Sequence, residues 1–297
     1  MRTLESPTEL AEFWGGALVP TMGALHEGHA SLIRTARATG RPVLLTIFVN
    51  PPQFGPSEDL AKYPRTLAAD LALAAAAGAD AVFVPSVEAI YPKGVESALH
   101  EADSLALPAV AREPRLEDAC RPSHFAGVAQ VVATLFDLCR PQLAVFGEKD
   151  FQQLRVITEL VRASPNRWPG LTIVPSATIR EADGLAMSSR NRYLSTAQRE
   201  RALAIHRALL AAQSILHGLR APTQSAIAEA AAIAGAEAAM RTALAEADCA
   251  VQYAAVRSAA TLASPTSAAP LRALIAATVD GIRLIDNLEV WTPQHAR

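Results

Sequence analysis

The run VLLTIFVN at 43–50 is apolar or β-branched along nearly its whole length. A strand with one face in water alternates apolar and polar residues, so this run predicts a strand buried on both faces, as in a parallel sheet. Shorter apolar runs predict further strands near 18–19 and over 80–85, 143–147 and 171–174.

Helical segments separate these strands, near 29–38, 66–77, 127–139 and 150–163. Strands and helices that alternate in this way build a doubly wound α/β layer, in which helices cover both faces of a parallel sheet. In such sheets ligands bind beyond the carboxyl ends of the strands, where a loop leads into a helix. The sequence therefore predicts an α/β fold whose functional residues follow the strands.

The pattern changes after about residue 178. It predicts alanine-rich helices at 196–217 and 223–246, followed by strands at 251–256, 271–279 and 282–290. Asp280 and Gly281 stand between the last two strands, and this dipeptide is a strong signal for a two-residue hairpin. We therefore predict two domains: 1–177 with the parallel sheet, and a smaller α+β domain over 178–297 that contains an antiparallel piece.

The charge balance argues against a protein that binds nucleic acid over a large surface. The 297 residues include 27 Lys or Arg and 29 Asp or Glu, which gives a net charge of -2. Proteins of that kind are usually strongly basic, so we predict no nucleic-acid partner, although a local basic pocket stays compatible with this balance. Hydrophobic residues make up 51% of the chain, which is enough for a sizeable core.

The three cysteines, Cys120, Cys139 and Cys249, are odd in number and far apart. They form no CxxC pair, so the sequence predicts neither a disulfide framework nor a cysteine zinc site, and reduced thiols fit the cytoplasm. Residues 1–15 do not suit a secretory signal, and the most apolar stretch, 71–85, is too short and too broken to span a bilayer. We therefore predict a cytoplasmic location and no membrane partner.

Two histidines three residues apart, His26 and His29, lie in the segment PTMGALHEGH at 20–29. Gly23 and Gly28 allow the backbone to approach a ligand closely, and a helix is predicted to begin near Gly28. The start of a helix presents unpaired N–H groups and the positive end of the dipole, which suit phosphate. Both imidazoles could donate hydrogen bonds to phosphate oxygens and stabilise charge during transfer at phosphorus. The alternative is an ordinary helix start with two surface histidines.

Two later segments carry polar side chains suited to phosphates. In FGEKD, Lys149 could neutralise a polyphosphate and Asp150 could bind a ribose hydroxyl or a metal-linked water; the alternative is a loop held by a salt bridge. In MSSRNRYL, Ser188, Ser189 and Arg190 could close over phosphates as a lid. The alternative for this segment is the N-cap region of the helix that follows.

The segment FVNPPQF ends a buried strand with two amides, Asn50 and Gln53, which could bind a carboxylate or a hydroxyl group. The alternative is an ordinary turn, because Asn and Pro are common turn residues. The chain has no GxxxxGK[ST] sequence and no GxGxxG sequence after a strand, so neither a P-loop nor the dinucleotide fingerprint applies. The G-x-S-x-G sequence of serine hydrolases is also absent.

Five segments, taken in order, resemble the pantothenate synthetase (pantoate–β-alanine ligase) family: PTMGALHEGHASL, FVNPPQFGPSEDLAKYPRT, RPSHFAGV, VFGEKDFQQL and READGLAMSSRNRYL. The resemblance is close over residues 17–195, and IRLIDN at 282–287 is similar to the family's last strand. HxGH alone marks a broader superfamily of nucleotidyltransferases and class I aminoacyl-tRNA synthetases. The other segments narrow the resemblance to this one family.

The resemblance implies a Rossmann-like domain over 1–177 that binds ATP and pantoate, a smaller C-terminal lid domain over 178–297, and a homodimer. It implies that ATP with Mg²⁺ activates (R)-pantoate as pantoyl adenylate and releases pyrophosphate. The amine of β-alanine would then attack the acyl carbon to give pantothenate and AMP. The expected partners are these small-molecule substrates.

The resemblance also implies roles for individual residues. The catalytic residues would be His29, His26, Lys149 and Arg190. ATP would be bound by Met22, Gly23, Ala24, Leu25, His26, Glu27, Gly28, His29, Gly147, Glu148, Lys149, Asp150, Ile179, Met187, Ser188, Ser189 and Arg190. Pantoate and β-alanine would be held by Gln53, Gln153 and Asn50, and Asp70 is a candidate for the magnesium region.

Four positions depart from the family's pattern. Pro52 stands where a larger apolar residue or threonine is usual, Ser123 where glycine is common, and Ile179 where valine is typical, and Cys120 is unusual at its position. None of these departures removes a catalytic candidate.

Other functions remain compatible with HxGH. A different nucleotidylyltransferase would need basic residues for a phosphorylated acceptor rather than the amides of Gln53 and Gln153. A silent nucleotide-binding regulator could have lost His29, Lys149 or Arg190, all of which are present. A zinc site at the two histidines lacks an evident third ligand.

Overall fold

The chain divides into two units, Met1–Ile179 and Arg180–Arg297. The computed structural model describes residues 1–54, 60–103, 106–217, 226–265 and 269–292. The predicted domain boundary, between 177 and 178, lies near this division. Each unit contains its own sheet.

The first unit contains the predicted parallel sheet. Its strands are β1 (Arg2–Leu4), β2 (Ala17–Thr21), β3 (Val43–Ile47), β4 (Ala81–Phe83), β5 (Leu143–Gly147) and β6 (Thr172–Ser176). Their order is β1-β4-β3-β2-β5-β6, and every neighbouring pair is parallel. All five residues of β3 are buried, because helices cover both faces of the sheet. The predicted α/β fold is confirmed.

Helices alternate with these strands as predicted. They are α1 (Glu27–Arg37), α2 (Leu67–Ala77), α3 (Val87–Ile90), α4 (Val95–Asp103), α5 (Glu117–Cys120), α6 (His124–Cys139) and α7 (Phe151–Ala163). Ile33 and Ala36 of α1 pack with Val19 of β2 and Leu45 of β3 in one buried cluster. α2 ends at Gly78, whose φ of 98° is the left-handed conformation that glycine adopts most readily at a helix end.

The chain order of the strands creates a crevice at the edge of the sheet. From β2 the chain crosses to β3 and then to β4 on one side, and it later returns to β5 on the other side of β2. The loops after β2 and β5 therefore lead away from each other. In open parallel sheets ligands bind at this switch point, beyond the carboxyl ends of the strands.

The second unit is the predicted α+β domain. Its elements are α8 (Thr196–His217), α9 (Ala226–Glu246), β7 (Ala250–Ser258), β8 (Leu271–Val279) and β9 (Ile282–Trp291). The strands form an antiparallel sheet in the order β7-β8-β9. The predicted start of the second helix at 223 lies outside the described residues. No helix in the described ranges is long and apolar enough to cross a membrane.

The hairpin between β8 and β9 has the predicted two-residue turn. Val279 pairs with Ile282, and the residues between them, Asp280 and Gly281, have φ angles of 45° and 85°. Positive φ at both central positions is what a type I′ turn requires, and its twist matches that of the strands.

Candidate active site

Predicted site residues follow four neighbouring strands at one edge of the first sheet. β3, β2, β5 and β6 are adjacent and parallel, so their carboxyl ends lie along the same edge. The segments that follow them are 50–53, 22–29, 147–150 and the short stretch to Ile179. Gln153 lies in the first turn of α7, directly after the third segment. The topology thus brings together the residues predicted in this unit from distant parts of the sequence.

The loop after β2 is held by a buried carboxylate. Asp70 of α2 is only 2% exposed. Its Oδ2 accepts a hydrogen bond from the backbone N–H of Ala24 at 2.9 Å, and its Oδ1 accepts one from Leu25 at 2.8 Å. The hydroxyl of Thr66 donates to Oδ1 at 3.0 Å. Bonds to an ionised acceptor are stronger than neutral ones, so Asp70 fixes the path of this loop.

Gly23 is required by the shape of the same loop. Its φ is 80°, and a Cβ atom added there would lie 3.1 Å from both Oδ2 of Asp70 and Cγ2 of Ile47. Ala24 follows with a φ of 51°, a conformation that is uncommon outside glycine. The bonds from Ala24 and Leu25 to Asp70 hold the chain in this turn.

His26 and His29 form a reciprocal pair at the start of α1. His26 is the N-cap residue, and its carbonyl accepts from the backbone N–H of His29 at 2.8 Å. The N–H of His26 donates to Nδ1 of His29 at 3.3 Å, and the ring centroids are 4.1 Å apart. Because Nδ1 accepts a bond, the proton of a neutral His29 ring lies on Nε2, which is then a donor.

Electrostatics links this helix start to the loop after β5. Burial is the main cause that lowers the pKa of His29, to about 3, and the neighbouring His26 and Lys149 lower it further, while Asp150 opposes them. His29 is therefore neutral at physiological pH. Lys149 Nζ lies 3.7 Å from Asp150 Oδ1, which is the salt bridge weighed above as an alternative. The Lys149 side chain is 18% exposed and that of Asp150 is 50% exposed.

Asn50 and Gln53 differ in how their amides are used. Asn50 is 1% exposed; its Nδ2 donates to the carbonyl of Gly127 at 3.1 Å, and its Oδ1 accepts from the hydroxyl of Tyr91 at 2.5 Å. Gln53 is partly exposed, and its side-chain amide makes no hydrogen bond with the described part of the chain. Gln53 is thus the amide of this segment that can bind a ligand.

The consecutive residues Gln152 and Gln153 show the same contrast. Gln152 is buried; its Oε1 accepts from the N–H of Glu117 at 3.0 Å, and its Nε2 donates to the carbonyl of Val110 at 2.8 Å and to Asp118 at 2.9 Å. Gln153 is partly exposed, and its amide has no hydrogen bond within the ranges described. The predicted amide is again the one that remains available.

Protein ligands for a metal ion are not assembled near these loops. Within the described ranges no three or more His, Cys, Asp or Glu side chains form a group that could hold a metal ion. The carboxylate of Asp70, the magnesium candidate, faces backbone N–H groups and a hydroxyl donor. The described residues near these loops therefore do not provide enough converging oxygen ligands to hold Mg²⁺ without ligands from a substrate.

The predicted residues 187–190 lie in the second unit, in the segment 180–193. Ser188 is the N-cap of a short 3-10 turn, Ser189–Tyr193, and its hydroxyl accepts from the backbone N–H of Arg190 at 3.3 Å. At the start of the segment, Arg180 forms a bidentate ion pair with Asp286 of β9, with N–O distances of 2.6 and 3.0 Å. This pair fixes the segment to the sheet of its own unit.

A second set of charges holds the middle of the same segment. Arg199 of α8 lies 2.6 Å from carboxylate oxygens of both Glu181 and Asp183. The other oxygen of Glu181 accepts from Nδ2 of Asn191 at 2.6 Å. A Cβ atom at Gly184 would lie 2.5 Å from the ring of His206, so this glycine lets the segment pack against α8.

Sequence reasoning assigned no role to several residues that shape the site. Tyr91, His124 and Gly127 contact the segment 50–53, although they lie between 38 and 77 positions away from Asn50 or Gln53. His124 and Gly127 belong to RPSHFAGV, a segment used only for the family resemblance. Because His124 and Gly127 are three residues apart, the sequence could have indicated that they share one face of a helix. It could not indicate that this face contacts the segment 50–53.

Comparison with known proteins gives a consistent result over most of the chain. The family model described as pantoate-beta-alanine ligase matches residues 4–289. Pantothenate synthetase 2 of Bradyrhizobium diazoefficiens is 46% identical over 92% of this chain and 90% of its own. Pantothenate synthetase of Cereibacter sphaeroides is 50% identical to this chain, and the match covers 92% of this chain and 91% of the relative's sequence.

Solved structures agree with the sequence matches. Pantothenate synthetase from Thermus thermophilus is 40% identical, with a TM-score of 0.83 over 99% of this chain and 100% of that one. Pantoate-beta-alanine ligase from Francisella tularensis, complexed with beta-gamma ATP and beta-alanine, is 28% identical, with a TM-score of 0.71 over 99% of both chains.

Proposed function

Because this chain belongs to the pantoate–β-alanine ligase family and joins pantoate to β-alanine to make pantothenate, we propose that it first activates pantoate with ATP as pantoyl adenylate. The Francisella tularensis relative, whose structure holds an ATP ligand and β-alanine, supports the use of both by this chain. The observation that carries the proposal is the meeting of three loops at one sheet edge: a helix start with two histidines, a lysine loop and an available amide.

The reaction needs activation because a carboxylate is a poor acyl donor. An oxygen of the pantoate carboxylate attacks the α-phosphorus of ATP, and the bond to pyrophosphate breaks. The amine of β-alanine then attacks the acyl carbon, AMP leaves with the oxygen that joined it to the acyl group, and the amine loses a proton. Charge develops on the phosphate oxygens in the first step, where N–H donors and cations stabilise it most.

The phosphates of ATP would lie against the start of α1 and the loop after β5. Backbone N–H groups at the helix start and the positive end of its dipole attract anions. His29, neutral and protonated on Nε2, would donate to a phosphate oxygen, with His26 beside it and Lys149 as a cation close enough to lower the pKa of His29. The rest of 22–29 and 147–150 would line the nucleotide, and the backbone at Ile179 would face adenine.

The segment 187–190 would close over the triphosphate with Ser188, Ser189 and Arg190. An arginine and two hydroxyls on one short turn suit phosphate oxygens, and the ion pairs of 180–193 support the turn from its own unit. The lid role of this unit is part of the proposal.

Pantoate would be held by the amides of Gln53 and Gln153, with Gln53 also near β-alanine. Both amides are uncommitted within the described chain, whereas those of Asn50 and Gln152 are bonded inside the protein. Asn50, predicted from the sequence to touch the substrate, is proposed to act through the position of Gln53.

Magnesium is proposed only as a companion of the triphosphate. The described residues offer no protein-only site, and Asp70 is engaged by the loop after β2. We propose Asp70 as a positioning residue for that loop rather than as a metal ligand. A homodimer is proposed on the family resemblance, and a cytoplasmic location stays a prediction from the sequence.

Single-turnover release of pyrophosphate tests the proposal. Wild-type protein mixed with ATP and pantoate, without β-alanine, is expected to release pyrophosphate, and His29→Ala should slow this by about 100-fold or more because one donor to the developing charge is lost. His100→Ala, at an exposed position on α4, is the matched control and should behave as wild type. Unchanged release in His29→Ala would refute its role, and release without pantoate would indicate a different nucleotidylyltransferase.

A further inference from the structure

We propose that Tyr91 and His124 are positioning residues that clamp the segment 50–53 against α6 and so set the amide of Gln53 for pantoate. The inference rests on the proposed role of Gln53 as a ligand of the acid. Neither residue would contact the substrate itself. They act on the backbone and on the buried side chain of the segment that carries Gln53.

The first side of the clamp is a chain of hydrogen bonds through Asn50. The hydroxyl of Tyr91 donates to Oδ1 of Asn50 at 2.5 Å, and Nδ2 of Asn50 donates to the carbonyl of Gly127 at 3.1 Å. Both Tyr91 and Asn50 are buried, at 5% and 1% exposure. Burial raises the pKa of Tyr91, so its hydroxyl stays protonated and remains the donor. Asn50 is thereby tied at both ends of its amide.

The second side of the clamp is His124, the first residue of α6. Its Nδ1 lies 3.3 Å from the backbone carbonyl of Gln53, and its Nε2 lies 3.2 Å from Nη1 of Arg121. A guanidinium can only donate, so Nε2 of His124 must accept. The ring proton therefore lies on Nδ1, which donates to the carbonyl of Gln53. Arg121 thus selects the tautomer that holds Gln53 in place.

The segment 50–53 lies directly against α6, because Gly127 of that helix has no side chain to keep the two backbones apart. A Cβ atom at Gly127 would lie 2.5 Å from the carbonyl oxygen of Pro52 and 2.8 Å from the backbone N of Gln53. The backbone N–H of Gln53 also donates to the carbonyl of Asn50 at 3.3 Å. The segment therefore has direct backbone contact with α6, and its position follows that of the helix.

The same polar contacts extend toward the second glutamine of the pantoate site. Arg121 lies 3.7 Å from a carboxylate oxygen of Glu117, and the backbone N–H of Glu117 donates to Oε1 of Gln152. Gln152 precedes Gln153 on α7. A path of buried and partly buried polar groups thus runs from the backbone carbonyl of Gln53 to the side chain of Gln152, the chain neighbour of Gln153, which a clamp serving only local stability would not require.

Two substitutions of His124 separate positioning from general packing. His124→Asn keeps an N–H donor near the Nδ1 position and gives up the contact with Arg121. His124→Gln keeps an acceptor near the Nε2 position for Arg121 and gives up the bond to Gln53. Tyr91→Phe removes one hydroxyl and leaves the ring. Steady-state KM values for pantoate and for ATP are measured for all three variants, together with Gln53→Ala.

We expect His124→Gln and Tyr91→Phe to raise the KM for pantoate about fivefold to tenfold, the value of one buried hydrogen bond, with the KM for ATP within about twofold of wild type. His124→Asn should stay near wild type for both substrates. Equal behaviour of His124→Asn and His124→Gln, or a parallel rise in both KM values, would overturn the clamp.

Gln53→Ala distinguishes failure of the clamp from failure of the proposed function. If Gln53→Ala raises the KM for pantoate while Tyr91→Phe and His124→Gln do not, the clamp is wrong and the role of Gln53 stands. If Gln53→Ala leaves that KM unchanged, the proposed role of Gln53 is wrong and the clamp inference falls with it.

Discussion

Two irregular segments predicted to contact the nucleotide are held in place by different means. The loop 22–26 after β2 is tied by Asp70, which is 2% exposed and binds backbone N–H groups. The segment 180–193 of the second unit is tied by Arg199 to Glu181 and Asp183, side chains that are 29–33% exposed. The loop after β2 is fixed by a buried carboxylate, whereas the segment 180–193 has one shielded ion pair at its start, Arg180 with Asp286, and is held beyond it by ion pairs that reach solvent.

The difference indicates which segment is rigid. A buried carboxylate that accepts backbone N–H bonds is poorly screened by salt, and losing it leaves the donors unsatisfied. Ion pairs between partly exposed side chains are worth little individually and weaken as salt rises. We therefore infer that the loop after β2 is a permanently formed part of the site, whereas 181–193, beyond the Arg180–Asp286 pair, has the lower local stability.

The largest effect is expected from Asp70→Ala, which removes the acceptor of the rigid loop. Loss of charge-assisted bonds to two buried backbone donors should lower the free energy of unfolding by about 3 kcal/mol. Displacement of the helix start should lower kcat/KM for ATP by about 100-fold. Urea unfolding and steady-state kinetics measure the two effects.

Glu12→Ala is the matched control for Asp70. This carboxylate pairs with Arg2, and its side chain is 69% exposed. Its removal should change stability by about 1 kcal/mol or less and leave the kinetics unchanged. Equal losses in both variants would remove the distinction between a buried and an exposed carboxylate.

A smaller effect is expected from Gly127→Ala, which tests whether the loop after β3 is as rigid as the loop after β2. The new Cβ atom would lie 2.5 Å from the carbonyl oxygen of Pro52, so the segment 50–53 must move. Overpacking of this kind costs about 1–3 kcal/mol, and we expect the KM for pantoate to rise more than that for ATP.

Gly235→Ala provides the comparison. Gly235 lies in α9, and a Cβ atom there meets nothing within 4 Å. Alanine should stabilise this helix by about 0.5–1 kcal/mol, because glycine loses more backbone entropy on folding. If Gly127→Ala leaves the stability and the KM for pantoate unchanged, the segment 50–53 can move without a loss of free energy, and it is less rigid than the loop after β2.

A still smaller effect is expected from salt, and it should separate the two segments. Raising NaCl from about 0.05 M to 0.5 M shortens the screening length severalfold. Backbone amides of 181–191 should then exchange hydrogen faster, while those of Ala24 and Leu25 should not change. Arg199→Gln should make exchange in 181–191 fast at both salt concentrations. A salt-dependent increase at Ala24 and Leu25 would contradict the assignment of rigidity.

The smallest effect is a predicted absence of titration at His29. Its pKa is lowered to about 3, mainly by burial, so its ring signals in NMR should not shift between about pH 5 and pH 8. Between pH 6.5 and 3 the unfolded chain binds the proton that the folded ring does not, so this residue lowers stability as the pH falls through that range. A midpoint near pH 6.5 would show that the ring is solvated.

Much of the fold was predictable because its signals are local. The strands 143–147 and 271–279 and the helix 196–217 agree with the structure at both ends. The strand Arg2–Leu4 was not predicted, since three residues show no periodicity and its partner β4 lies far along the chain. The helices between 87 and 120 were also not predicted, because they are short and separated by turns.

Candidate site residues could be named from the sequence where the chemistry lies in consecutive residues, and less so where it depends on contact. The two histidines, Lys149 and Gln53 were proposed from short motifs, and Gln153 from the family resemblance. Asp70 and Asn50 could not be placed from the sequence, because their partners are the backbone of Ala24 and the hydroxyl of Tyr91, 46 and 41 positions away. A polar residue near a site looks the same in sequence whether it binds substrate or backbone.

Activation of pantoate through an adenylate can be followed with an isotope label in the acid. Pantoate labelled with ¹⁸O in its carboxylate is converted with ATP and β-alanine, and the products are analysed by mass spectrometry. One labelled oxygen is expected in AMP, because the acyl–oxygen bond breaks when the amine attacks. Label in pyrophosphate or inorganic phosphate, with none in AMP, would contradict activation through an adenylate.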